Sequence, residues 1–263
     1  MAIGSRSSQV YALGLMACDR GGRRGACQML SAEQWARLDP SNAAPWMKVL
    51  SEASNRRDAA ALDEAVFQIA RASSYNESST LPLKQVMARL PADTSLYERF
   101  TVMASLFIAT HSVSQAFTTL PAQQVLSRYC DAQAVLDANR RQACGAVAET
   151  LVERSPTLTD FRFGVALAER GGWPVERLHA LREEGDAAVQ ASIENAGKPG
   201  DLGCGFLARE QARMAEMARA GEWPVLSRRV KASPDGVAEL AKRFRDAKAR
   251  AQSVAAASAP AVR

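Results

Sequence analysis

Histidine is almost absent from this chain of 263 residues: His111 and His179 are the only two. An imidazole-based metal site needs more ligands than that, and no H-E-x-x-H or paired Cys/His spacing occurs. None of the five cysteines forms a Cys-x-x-Cys, which excludes zinc-ribbon and thioredoxin-like chemistry. Phosphate-cradling loops are missing too. There is no G-x-x-x-x-G-K-[ST], and Gly200-Asp-Leu-Gly203-Cys-Gly205 follows no strand, so it reads as a flexible linker ahead of a helix. Aromatic residues make up only 6%, and no run alternates apolar with polar positions as a strand does. The strongest apolar run, Val102 to Ala109, falls far short of the ~18 residues of a membrane span. The stretch from Met1 to Arg20 has no sustained apolar segment and no small-residue cleavage site, so no secretory signal is expected there.

What the chain does have is alanine and helical periodicity. Hydrophobic residues reach 47%, much of it Ala, the best helix former and one that lets helices approach closely. Apolar side chains return every three or four positions almost from end to end. The expectation is an all-α fold of about nine to eleven helices, stacked as antiparallel pairs in an α-solenoid or an irregular helical bundle. Tyr11, Leu15 and Cys18 share the first helix face. Ser31-Ala-Glu-Gln34 reads as a capping box. Asp93 is expected to cap the longest helix, about Thr94 to Thr118, and Ser155-Pro156 to start another. The longest helix carries two apolar stripes, one through Phe100 and Met103 and one through Val102 and Leu106, which predicts a central, many-sided burial. Tyr75 to Pro82 reads as a polar surface loop. Ala168-Glu-Arg-Gly-Gly-Trp-Pro-Val175 is echoed by Ala218-Arg-Ala-Gly-Glu-Trp-Pro-Val225, one helix-to-helix turn used twice. Three segments are expected, 1–74, 83–195 and 204–254, forming one continuous helical domain, with 255–263 a disordered tail.

The net charge of +5 is unevenly placed. From Arg228 onward nine bases face three acids, so the rest of the chain is nearly neutral. That distribution disfavours a uniformly basic body for specific nucleic-acid binding. Arg228, Arg229, Lys231, Lys242, Arg243 and Arg245 are the candidate contacts to an anionic partner, against the plainer reading of a solvated helix face. Cys18 with Cys27, and Cys130 with Cys144, each bracket a short segment suited to a local disulfide, leaving Cys204 over. Such bonds imply an oxidising compartment.

Trp35 to Ala72 resembles a tetratricopeptide-like helix pair. Trp35-Ala-Arg-Leu-Asp-Pro-Ser-Asn-Ala-Ala-Pro-Trp46 looks like the junction between repeats, and Asp58-Ala-Ala-Ala-Leu-Asp-Glu-Ala65 like the start of a second helix. The resemblance covers residues 31–73 and implies that Trp46, Leu50 and Ala53 pack against Ala65, Val66 and Ile69, with a protein-binding role. The Ala/Arg-rich composition also resembles that of bacterial cell-envelope proteins. Glu77-Ser78 is similar to the Glu-Ser pair of helical peptidoglycan-lytic enzymes of the lytic transglycosylase kind, in which Glu is the general acid/base. The Gly-Leu-Met-Gln segment that follows in those enzymes is absent here.

His111, among Thr110, Ser112 and Ser114, lacks a G-x-S-x-G elbow and reads as a structural histidine, as does His179. Glu183, Glu184 and Asp186 read as a solvated face. The four tryptophans read as packing at helix ends rather than as a ligand groove. No catalytic, cofactor-binding or metal site is assigned. The leading expectation is a non-enzymatic interaction, scaffold or envelope inhibitor protein with another protein as partner; the alternative is a helical enzyme acting on envelope polymers. Non-reducing peptide mapping of protein from its host should link Cys18 to Cys27 and Cys130 to Cys144, and reduced thiols at those positions would remove the envelope argument.

Overall fold

The computed structural model describes residues 2–21, 24–78, 81–195 and 203–258. Among the described residues it is all-α, with thirteen helices: α1 (Ser8–Gly21), α2 (Ala32–Leu38), α3 (Ala43–Arg56), α4 (Ala59–Arg71), α5 (Leu81–Met87), α6 (Leu96–Ser114), α7 (Leu120–Tyr129), α8 (Ala138–Arg154), α9 (Leu158–Arg170), α10 (Val175–Asn195), α11 (Cys204–Ala220), α12 (Glu222–Lys231) and α13 (Gly236–Ser258). That exceeds the nine to eleven expected. Most of the expected linker before α11, residues 196–202, lies outside the described residues, as do Gly22 and Arg23 of the first loop.

Several starts are set by a short polar side chain. Ser31, Asn42, Asp58, Asp137 and Thr157 accept a backbone N–H of the first turn of α2, α3, α4, α8 and α9. Two expected caps move. Ser95, not Asp93, caps α6 and exchanges hydrogen bonds with Glu98 in a capping box. Thr157, not Ser155, caps α9, while Ser155 turns back to the Leu151 carbonyl at the end of α8. Only half of the box at Ser31 forms, since Gln34 accepts from Arg37 and the Ser31 N–H donates to the Tyr11 hydroxyl.

One apolar core, from Tyr11 through Leu50, Leu126, Leu151 and Phe161 to Ala241, joins all three sequence segments. α3 packs on α4, α4 on α8, α8 on α9, α9 on α10, and α10 on α13. In the first pair Leu50, Ala53, Ala65, Val66 and Ile69 are buried as expected. Trp46 is only half-buried; its indole N–H donates to the Pro40 carbonyl at 3.0 Å, and Met47 fills the core position instead. Gly164 lets α9 press on α8: a Cβ there would stand 2.8 Å from that of Leu151. The Cα atoms of Cys18 and Cys27 are 5.3 Å apart and those of Cys130 and Cys144 5.9 Å, both pairs at disulfide distance. Cys204 is exposed. No described helix is long and apolar enough to cross a membrane.

Two larger expectations fail. α6 is peripheral, not central. It packs on α5 and α11 around a small second core of Leu83, Met103, Met214 and Ala218, while Tyr97 and Ile108 remain 67% and 65% exposed. It stops at Ser114, where a π-helical turn, Gln115–Thr119, re-aims the chain into α7. The loop after α4 is the second case: Tyr75, Glu77 and Ser78 are buried. In addition, helix α13 runs on to Ser258, into the expected tail.

Asn42 holds that loop down. Its side-chain oxygen accepts from Ala44 N and Asn76 N, and its amide donates to the Asn76 carbonyl and to Asp39. Beside it the Ala43 N–H donates to the Ser74 carbonyl, in an isolated parallel bridge between Asn42 and Ser74. Asn42→Ala strands these partners and should lower the unfolding free energy by roughly 3 kcal/mol, read from the midpoint of urea denaturation.

Candidate functional site

The buried loop delivers Tyr75 and Glu77 to the ends of α7 and α9. Asp160, in the first turn of α9, is fully buried. Its Oδ1 accepts from Gln123 of α7 at 2.9 Å and from the Tyr75 hydroxyl at 3.4 Å, and its Oδ2 accepts from Thr157 at 2.6 Å. Thr119 donates to Glu77 Oε1 and lies against the Tyr75 hydroxyl. Polar groups thus line the way between two carboxylates: Asp160 accepts from Tyr75, and Glu77 accepts from Thr119.

Burial, and behind it the negative charge of Glu77, raises the Asp160 pKa to about 7 against the donors from Thr157, Gln123 and Tyr75. Tyr75 is pushed well above its ordinary range by burial and by the charges of Asp160 and Glu77.

Glu77 lies against a cleft of about 190 Å³ between the loop, the α8–α9 turn and the α11–α12 turn. Lys84, Arg154 and Arg219 line it from α5, α8 and α11, and Glu222 from α12. The two turns are fastened together. Trp223 N donates to the Pro156 carbonyl at 3.0 Å, Leu158 N to Glu222 at 3.1 Å, and Trp223 stacks on Phe161 with ring centroids 3.7 Å apart. Gly221 sits in the left-handed region at φ 89°, where a Cβ would stand 3.0 Å from the Pro156 carbonyl oxygen.

Beyond Lys84 and Arg219, which border both, lies an apolar groove of about 570 Å³ between α5, α6 and α11. Met87, Leu96 and Met103 form one side and Ala208, Ala212 and Ala215 the other. Among the described residues no carboxylate lines it.

The residues singled out in the sequence fall elsewhere. Arg228 and Arg229 both pair with Glu216, at 2.9 and 3.0 Å. Lys231 meets Glu184 at 2.8 Å, Arg243 meets Asp235 at 2.6 Å and Glu194 at 3.3 Å, and Arg245 meets Glu183 at 3.4 Å and Asp186 at 3.7 Å. Lys242 is exposed. The acids read as a solvated face of α10 thus meet the bases of α12 and α13, and an anionic partner would have to displace them. His179 is exposed beside Glu183, and the His111 side chain lies outside the described residues. Trp35 and Trp223 are buried, while Trp173 is half-exposed under the Arg177 guanidinium. Of the site now visible, only Glu77 was singled out in the sequence. Asp160, Gln123 and Thr119 lie on segments with no motif, and their approach depends on tertiary packing alone. No protein-family model, curated protein or solved structure matches this chain.

Asp160 binds its proton more tightly folded than unfolded, so its share of stability is present below about pH 4 and is lost as pH rises through 7. Asp160→Asn should remove that dependence. Unfolding free energies of the two proteins should diverge between pH 4 and 7.5, the wild type losing on the order of 3 kcal/mol more than the variant. Parallel profiles would assign the pair an ordinary carboxylate behaviour.

Proposed function

We propose that this chain is a partner-binding protein whose working surface is the groove between α5, α6 and α11, and that the groove receives an amphipathic helix with acidic flanks. The observation that carries the reading is the incomplete covering of α6. An apolar helix with one fully buried residue among its described side chains, Met103, borders an open groove. Methionines give it an adaptable side, and the alanines of α11 let another helix come close. Lys84 and Arg219 at its border, with no described carboxylate in the lining, favour negative charge on the incoming helix. The tetratricopeptide-like character of residues 31–73 agrees with a scaffold of this kind, and the two cysteine pairs agree with a setting in an oxidising envelope compartment.

A second reading, an enzyme on envelope polymers with Glu77 as general acid/base, is favoured by the place of Glu77 at a cleft. The small, walled volume of that cleft suits a small molecule better than a polymer.

A photo-crosslinking residue at Ala212 or Met87 should trap one discrete polypeptide in the producing cells, and the same probe at Lys242 should not. Ala208→Trp, which fills the groove from an exposed position, should cut that yield about tenfold, equivalent to ~1.4 kcal/mol. An unchanged yield overturns the reading.

A further inference from the structure

The cleft over Glu77 differs in kind from the groove beside it. It is small, its two fastened turns leave it little freedom, and it carries opposite charges on different walls. Glu77, 4% exposed, offers negative charge from within the protein. Lys84 and Arg219 are exposed at the edge, and Arg154, although its Nη1 meets Glu153 at 2.9 Å, has further N–H donors. Glu222 is committed to the first turn of α9 through Leu158 N. A nearly buried carboxylate on one wall of a cleft whose lining also holds Lys84, Arg154 and Arg219 suits a molecule with a cationic donor at one end and an anion at the other.

We propose that this cleft binds a free α-amino acid, its ammonium on Glu77 and its carboxylate among Lys84, Arg154 and Arg219. The volume of about 190 Å³ admits a small or medium side chain and not a peptide. The line from Glu77 through Thr119 and Tyr75 to Asp160 gives the site a distinctive response. An ammonium at Glu77 relieves the repulsion between the two carboxylates, so Asp160 gives up its proton on binding. The groups that set this balance are Tyr75 and Glu77 on the loop, Thr119 and Gln123 at α7, Thr157 at α9, Lys84 at α5, Arg154 at α8, Arg219 at α11 and Glu222 at α12. Affinity rises with pH toward 7.5, where Asp160 has lost its proton already.

The test is isothermal titration of the full chain with each of the twenty amino acids singly, and with methylammonium and acetate as the two half-ligands. At least one amino acid should bind below millimolar concentration, and each half-ligand at least about tenfold more weakly. At pH 7 the heat should differ between phosphate and Tris buffers by about half a proton released per ligand, and Asp160→Asn should abolish that difference while still binding. The double variant Lys84→Ala/Arg219→Ala changes exposed side chains only and should weaken binding at least about tenfold; Glu77→Gln should do the same. Three results would each overturn the proposal: no amino acid binding below 10 mM (roughly −2.7 kcal/mol), acetate or methylammonium binding as tightly as the amino acid, or full affinity in the double variant. None of them bears on the partner-binding groove, whose crosslinks from Ala212 and Met87 are read separately.

Discussion

A loop that leaves one helix pair and crosses the ends of others must either stay wet or find partners for every polar group it buries. In this protein Tyr75, Glu77 and Ser78 of the stretch after α4 are buried, and partners for the stretch are supplied by Asn42 at the start of α3 and by Thr119 and Asp160 at α7 and α9. Asn42 holds the loop backbone through two side-chain hydrogen bonds to Asn76; Asp160 and Thr119 hold the side chains of Tyr75 and Glu77. This fastening adds to the direct packing of α3 on α7 and α4 on α8, and it holds one wall of the cleft in place. Two carboxylates are brought close in a dry interior as a consequence, and they are unequal: Asp160 is sealed behind three donors, whereas Glu77 reaches the surface through the cleft. Such asymmetry lets Asp160 keep its proton to higher pH than an ordinary carboxylate.

The surface divides on similar physical lines. Acids of α10 and α11 pair with Arg228, Arg229, Lys231, Arg243 and Arg245 of α12 and α13, contacts worth little to stability singly that nonetheless occupy most of the bases singled out in the sequence. The bases that border the cleft over Glu77 are Lys84, Arg154 and Arg219, scattered through the sequence and gathered only by packing. The cleft and the apolar groove share Lys84 and Arg219 as a common border, one side polar and walled, the other apolar and open.

Helicity, the local cysteine pairs and most helix starts were legible in the residues because each is a short-range matter. Periodicity, a capping side chain and a spacing of nine or fourteen positions between cysteines all act within one or two turns of helix or one loop. The misreading of α6 has the opposite cause. Apolar stripes on two sides state that a helix prefers cover, not that this chain supplies it, and the described cover of α6 comes mainly from α5 and α11. The Tyr75-Asn-Glu-Ser78 segment looked like surface because its own residues are polar; burial followed from hydrogen bonds to Asn42, 34 positions from Asn76, and to Asp160, 85 positions from Tyr75.

The sequence by itself therefore determined the class of structure, the alanine-rich close packing, the two short cysteine loops and the absence of familiar nucleotide, zinc and thiol-redox motifs. Only the tertiary structure decided which acid is sealed in, which bases are already paired, and which apolar helix stays half-covered. The physical reason is range: propensity and capping are settled between neighbours along the chain, whereas burial and charge pairing depend on residues that meet only after the helices have stacked.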